Sequence, residues 1–374
     1  MRRIAVVTGT RADWGLLRCV CDAIRDRTDL SLTVLAGGAH LLPPANTIEE
    51  VRAAYPALMQ FEMQRAGETG RLADAAALGR GVQHLSALFH ALAPDIVVVL
   101  GDRIEAFAGA AAASVGGIRV AHVHGGDRAE GVADEAMRHA ITKLSHMHLA
   151  ATAASAERIR QMGEQAARVH VIGSPAIDAL PTSRMLNDAG YAALGKPEFV
   201  FLLHPIGRSG TDESAAAERL LEVLSSRGRS LLLSPNSDPG SDGIAEAISR
   251  AQTSRPQCFR AVPHLERSQF IGLLKRPEVR ALVGNSSAGL IECAALRMRV
   301  LNVGTRQSGR ERADNVQSVR GDSHDEIAEA LDALLNSTPS GAHPYGDGDA
   351  GTRAATVLAL ADFAVHGLAK HNTY

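Results

Sequence analysis

Short runs of Val, Ile, Leu and Ala recur along the chain, each nearly unbroken by polar residues. The first set covers residues 4–10, 30–38, 95–102, 119–126, 147–152 and 169–174. Strands that lack polar alternation are buried on both faces, which calls for a parallel sheet with helices on each side. Helical patterns fill the gaps, as from Trp14 to Arg27 and from Arg71 to Leu92. Between Pro181 and Pro197 the alternation lapses into a stretch with two prolines and two glycines, the composition of a connection. It restarts with apolar runs at 199–205, 230–236, 259–263, 279–286 and 299–304, the last of the strands on this reading. Their helices are expected at roughly 212–226, 243–251, 287–296 and 324–335. Two doubly wound α/β domains are therefore expected, at 1–180 and 198–350, joined by a linker at 181–197. An Ala-rich helix within 351–374 is placed to pack back on the first domain.

Composition narrows the function. The 374 residues are 45% hydrophobic and 21% charged, with a net charge of -2, the mix of a soluble globular protein. No broad basic field invites nucleic acid or an acidic membrane, so a bound anion must be held by local groups. The N-terminal apolar run is too short for a signal peptide and is followed by Arg11 and Asp13. No run approaches the roughly 20 apolar residues of a membrane span. Cys19, Cys21, Cys258 and Cys293 form no Cys-x-x-Cys pair and read as free thiols of a cytoplasmic protein.

Ligands of doubly wound sheets sit beyond the carboxyl ends of the strands, and the unusual residues of this chain gather there. Strand one ends in Gly9-Thr10-Arg11-Ala12-Asp13, where Arg11 offers a planar cation to a phosphate. Gly101-Asp102-Arg103-Ile104-Glu105 crowds charge onto the next strand end, beyond what an ion-paired surface loop requires. His122 to His148 holds five histidines and four acidic residues. Within it His122 and His124, two apart, are expected to face one side. Asp127, Asp134, Glu135, Arg138 and His139 follow, with Asp134 also suited to capping a helix. A zinc site is the rival reading; the absence of paired thiols and the presence of Arg103, Arg128 and Arg138 weigh against any metal. His146 and His148 read as packing or loop residues.

In the second half His204 ends a strand, and Gly284-Asn285-Ser286-Ser287-Ala288-Gly289 leads into a helix carrying Glu292. Small residues at a helix start leave N–H groups and a favourable dipole for an anion. A carboxylate further along suits a ribose diol. Arg306, Arg310 and Arg312 then end the last expected strand, a density of cations that suits a phosphate-bearing substrate or, more plainly, a solvated basic loop. Neither Gly-x-Gly-x-x-Gly nor a Walker loop is present, so no redox cofactor is implied.

Taken in order, these motifs, with Ile141-Thr142-Lys143, His204-Pro205, Asn236-Ser237-Asp238-x-Gly240-Ser241 and Asn302-x-Gly304-x-Arg306-Gln307-x-Gly309-Arg310, resemble the hydrolysing UDP-N-acetylglucosamine 2-epimerases of sialic and legionaminic acid pathways. The resemblance spans about residues 4 to 320. It implies a glycosyltransferase-B-like fold of two Rossmann-like domains with the active site in an inter-domain cleft. It implies a nucleotide-sugar substrate whose UDP is held by Ser286, Ser287 and Gly289, with Glu292 on the ribose and Arg11, Arg306 and Arg312 supplying cations. It also implies a reaction in which the sugar C2 proton leaves, UDP departs to give a glycal, and water adds back with inversion. Asp102, Asp127 and Asp134 are then the acid–base candidates, and His204 stabilises or protonates the departing diphosphate. No cofactor is implied; a homo-oligomer is plausible for such enzymes.

Two departures stand out. Asp127 occupies a position where the family carries Glu, one methylene longer. Ile206-Gly207-Arg208-Ser209 replaces the small threonine-rich residues that follow His-Pro in the family. Both leave a UDP-2,4-diacetamido sugar open as the substrate, and a glycosyltransferase on the same fold is the alternative of another class.

Overall fold

A computed structural model describes residues 1–43, 46–129, 135–236, 238–365 and 367–373. Its strands form two wholly parallel sheets in two compact units.

The first unit comprises Met1–Asp127, Asp134–Asp178 and Tyr345–Tyr374. Its strands are β1 (Arg2–Thr8), β2 (Leu30–Gly37), β3 (Met59–Phe61), β4 (Ile96–Leu100), β5 (Arg119–Val123), β6 (Met147–Ala150) and β7 (Val169–Val171), in the order β3-β2-β1-β4-β5-β6-β7. The order reverses between β1 and β4, the switch point of a Rossmann-type sheet. Helices cover both faces, as the unbroken apolar strands require. On one face Trp14, Leu17, Cys21 and Ile24 of helix Arg11–Arg25 pack with Ala350, Ala354 and Leu358 of helix Ala350–Leu360. On the other, Ala77, Leu85 and Phe89 of helix Arg71–Leu92 join Ala108 and Ala112 of helix Ile104–Val115. Each large side chain buried here contributes about 1.5–3 kcal/mol of transfer free energy.

The second unit comprises Arg128–Ala133 and Ala179–Pro344. Strands β8 (Phe199–Leu202), β9 (Ser230–Leu233), β10 (Phe259–Val262), β11 (Ala281–Gly284), β12 (Arg299–Val303) and β13 (Val316–Val319) run in the order β10-β9-β8-β11-β12-β13. The switch point lies between β8 and β11. There Gly284 adopts φ +148, and a Cβ on it would stand 2.0 Å from the Leu202 carbonyl oxygen, so only glycine lets the two strands close.

The structure departs from the sequence reading in four places. Residues 181–197 belong to the second unit and carry the helix Asp188–Ala193, whose Tyr191 is buried and bonds the Pro197 carbonyl. β12 is not the last strand: β13 follows it. β3 was not apparent either; both are edge strands of three or four residues, too short to show a period. The helix expected at 287–296 is two turns, Ser287–Leu290 and Glu292–Ala295, broken at Ile291.

Candidate active site

At the switch point of the first unit, β1 delivers Gly9 to Arg11 and β4 delivers Gly101 and Asp102. Asp13 organises the first loop. Its carboxylate accepts from Gly9 N (3.0 Å), Thr10 N (2.9 Å) and the Thr8 hydroxyl (2.9 Å), and with Thr10 it completes a capping box. Arg11 is thereby placed in the first turn of its helix, half-buried. Among the described residues it makes no hydrogen bond or ion pair, only a longer-range attraction to Glu50.

Asp102 is ion-paired with Arg138 of helix Glu135–Leu144, which is itself buried and also bonds Glu135 (2.6 Å) and the Asp127 carbonyl (3.1 Å). The Asp102 side chain keeps 21% of its exposure and that of Glu135 19%, so both carboxylates of this cluster are partly open. Asp127 is placed otherwise. It is buried, with one oxygen on His124 Nδ1 (2.7 Å) and the other accepting from the Ser155 hydroxyl (2.8 Å). Asp134 lies outside the described residues.

His122 and His124 take different partners. His122 ends up inside, its Nε2 donating to the Gly101 carbonyl (2.7 Å), and burial pushes it down to about 3. His124 lies one residue past β5 with φ 63, and its Nε2 meets the Ser174 hydroxyl at 3.0 Å. The positive φ turns the chain as it leaves β5. Among the described residues no three of His, Cys, Asp and Glu gather as a metal-holding group.

In the second unit His204 and the Gly284–Ser287 motif meet at the switch point. Asn285 joins them directly: its Oδ1 accepts from His204 N (2.7 Å) and its Nδ2 donates to the His204 carbonyl (2.8 Å). The backbone N–H of Asn236 donates to His204 Nδ1 at 3.1 Å, so a neutral ring carries its proton on Nε2. Burial, with the Arg306 charge adding, lowers His204 to about 3. The ring is therefore a neutral donor, suited to stabilising an anion rather than to giving up an imidazolium proton.

Ser286 caps the following turn, its hydroxyl accepting from Ala288 N (3.4 Å). Ser287 is half-buried beside it. Gly289 is buried against β12, where a Cβ would stand 2.7 Å from Val300 Cγ1, so packing also demands this glycine. Glu292 is buried with Arg267 Nη1 at 3.1 Å. Arg306 reaches the Asn285 carbonyl (3.4 Å), and Arg312 bonds the Ser318 hydroxyl (2.7 Å) and the Gln307 carbonyl (3.4 Å). Arg306 thus braces the loop before the Ser286 turn, and Arg312 ties its own loop to β13. Arg208 is bound by the buried Glu213 (3.0 Å), which also accepts from Ile206 N (2.7 Å).

Asp13, Ser155, Asn236 and Arg267 received no role from sequence. Only Asp13 carried a local signal, the Thr-x-x-acid spacing of a capping box; the others act across contacts of more than 20 residues.

The sequence profile of the UDP-N-acetylglucosamine 2-epimerase family matches residues 22–359. The chain is 34% identical to the hydrolysing UDP-N,N'-diacetylbacillosamine 2-epimerase of Legionella pneumophila, over all of both chains. It is 33% identical to the UDP-N-acetylglucosamine 2-epimerase of Neisseria meningitidis, over 84% of this chain and 83% of that one. Its fold matches the crystal structure of UDP-GlcNAc 2-epimerase from Neisseria meningitidis bound to UDP-GlcNAc with a TM-score of 0.80 at 17% identity, covering 96% and 99% of the two chains. The pair of Rossmann-like units is thus the glycosyltransferase-B-like plan shared with these enzymes, and the chain belongs to the UDP-N-acetylglucosamine 2-epimerase family, enzymes acting on sugar nucleotides.

Proposed function

We propose that the protein is a hydrolysing 2-epimerase of a UDP-linked 2-acetamido sugar, releasing UDP and the free sugar inverted at C2. In the first step the C2–H and C1–O bonds break, C1=C2 forms, and UDP leaves. In the second, water supplies the C1 hydroxyl and a proton returns to C2 from the opposite face. The observation that carries this reading is Asp102, a reachable carboxylate at a strand end held opposite a buried guanidinium. A weakly acidic C–H needs a fixed base, and a partner that sets its orientation supplies that. Asp102 takes the C2 proton on this reading, and Asp134 is the complementary acid. Asp127, with both oxygens engaged inside the unit, orients His124 and does not touch the sugar. His204 donates from Nε2 to the departing diphosphate, which the Ser286–Ser287 turn, Gly289 and Arg11 also receive; Glu292 takes the ribose. Arg306 holds the residue before that turn, and Arg312 its own loop.

Incubation with UDP-N-acetylglucosamine in heavy water tests the reaction. C2-deuterated free N-acetylmannosamine together with free UDP supports it; an intact UDP-sugar with exchanged C2 shows a non-hydrolysing epimerase instead. A UDP-2,4-diacetamido sugar is the second reading of the substrate, favoured by the full-length match to the Legionella pneumophila enzyme. Comparing kcat/KM for both donors decides between them. Inertness of every donor without an acceptor, and turnover with one, would point to a glycosyltransferase.

A further inference from the structure

Helix Glu135–Leu144 carries Arg138 in its first turn, and its other end lies beside the last residues of the chain. The carbonyls of a final helical turn lack intrahelical partners and gather partial negative charge. Here one ammonium meets them. Lys370 Nζ donates to the carbonyls of Thr142 (3.4 Å), Lys143 (2.7 Å) and Ser145, and pairs with Glu164 at 2.9 Å. Glu164 is buried and also holds Lys143 (2.7 Å) and the fully buried His148 (3.1 Å). Its neighbours outweigh burial, so it falls to about 2 and stays charged. The segment around Lys370 is tied on both sides. Arg168 donates to the Ala369 carbonyl (3.1 Å), Lys143 to Asn372 (3.0 Å), and Thr373 N to the Gly163 carbonyl (3.2 Å). Thr142 also touches His122 (3.3 Å), whose other nitrogen bonds the Gly101 carbonyl next to Asp102.

We propose that Lys370 is a positioning residue for the acid–base centre: it closes the open end of helix Glu135–Leu144 and so fixes Arg138 opposite Asp102. The proposal rests on the reading of Asp102 as an acid–base group. The test measures Lys370→Met in the full-length chain by three readouts. Steady-state turnover of the UDP-sugar should lose about 10–100-fold in kcat, since a small misplacement of the reacting groups has that effect. The dissociation constant for UDP, most of whose proposed contacts lie in the second unit, should stay within about twofold of the parent. Amides of residues 135–144 should lose hydrogen-exchange protection while those of the second sheet keep theirs. Ethylammonium added to Lys370→Ala should restore part of the lost kcat, which a nonspecific loss of packing does not allow. Unchanged kcat with unchanged protection at 135–144 overturns the proposal, as does a loss spread evenly over both units. If Lys370→Met does not fold, Lys370→Arg, which retains the cation, carries the test: a protected helix supports the proposal and an unprotected one overturns it. Should the parent chain turn over no donor, the acid–base reading fails, while the exchange measurement still decides whether Lys370 holds the helix.

Discussion

The two Rossmann-like units reach their switch points with opposite chemistry. In the first, carboxylates stand at the strand ends and each described one has an assigned neighbour: Asp13 its loop amides, Asp102 Arg138, and Asp127 His124 and Ser155. In the second, β8 and β11 end in a neutral imidazole, an amide and two serines, and the nearby carboxylates Glu213 and Glu292 are buried against arginines. On the proposed reading, one unit moves protons and the other receives an anion. The contrast illustrates how one sheet topology can present different chemistry: the strands fix where the loops start, and the loops differ in polarity.

The contrast breaks most sharply at Asp102. Asp102→Asn keeps the shape and removes the proposed base, and should lower kcat by about 10²–10⁴-fold, the usual range for a general base. UDP affinity, measured by calorimetry, should be unchanged; a matching loss of UDP binding would show that the units do not divide the work in this way.

Acidification should separate the units by stability. His40, His122 and His146 in the first unit are pushed down by burial to about 4, 3 and 4, against His204 at about 3 in the second, where burial also lowers His343. A histidine whose folded value lies below its usual 6.5 binds fewer protons folded than unfolded. Its stability is therefore intact above that pH and is lost as pH falls through the window towards the folded value. Glu164, held at about 2, adds a loss of the same sign below its usual 4.5, while Asp13, raised by burial, opposes it. Hydrogen exchange followed from pH 7 to 4 should show the first sheet losing protection before the second. In the same range kcat/KM should show no limb from His204 near 6.5, because its ring stays neutral.

Two smaller effects sharpen the picture. Asp127→Glu inserts a methylene where both oxygens are already bonded in a buried site. It should destabilise by about 1–3 kcal/mol in denaturant titration. Arg208→Thr removes the cation paired with the buried Glu213, and should cost about 1–3 kcal/mol. Glu213 keeps its bond from Ile206 N, so the loop should hold. A tenfold rise in KM for one donor and not another would instead make Arg208 part of sugar selection.

Much of this was legible before the structure. The unbroken apolar runs announce buried parallel strands, and charged or small residues crowd the strand ends where such sheets bind ligands. Side-chain partnership was less legible. Asp102 meets Arg138, Asp127 meets Ser155, and His204 meets Asn236, contacts that no helical or strand period relates. Gly289 shows a second gap: sequence spacing says a residue must be small there, and only packing reveals Val300 as one reason. The broken turn at Ile291 was hidden because Leu290 to Leu296 reads as an ordinary helical pattern.

His124 has a consequence for engineering. Its left-handed backbone suits glycine or asparagine, and a histidine there forgoes roughly 1–3 kcal/mol. The ring nevertheless bridges Asp127 and Ser174, one contact at each nitrogen. Position 124 thus has two optima that exclude each other, one for chain relaxation and one for cross-linking. A stabilisation campaign that ranks substitutions by backbone preference alone would choose glycine, and would cut the clasp that keeps the Asp127 carboxylate oriented.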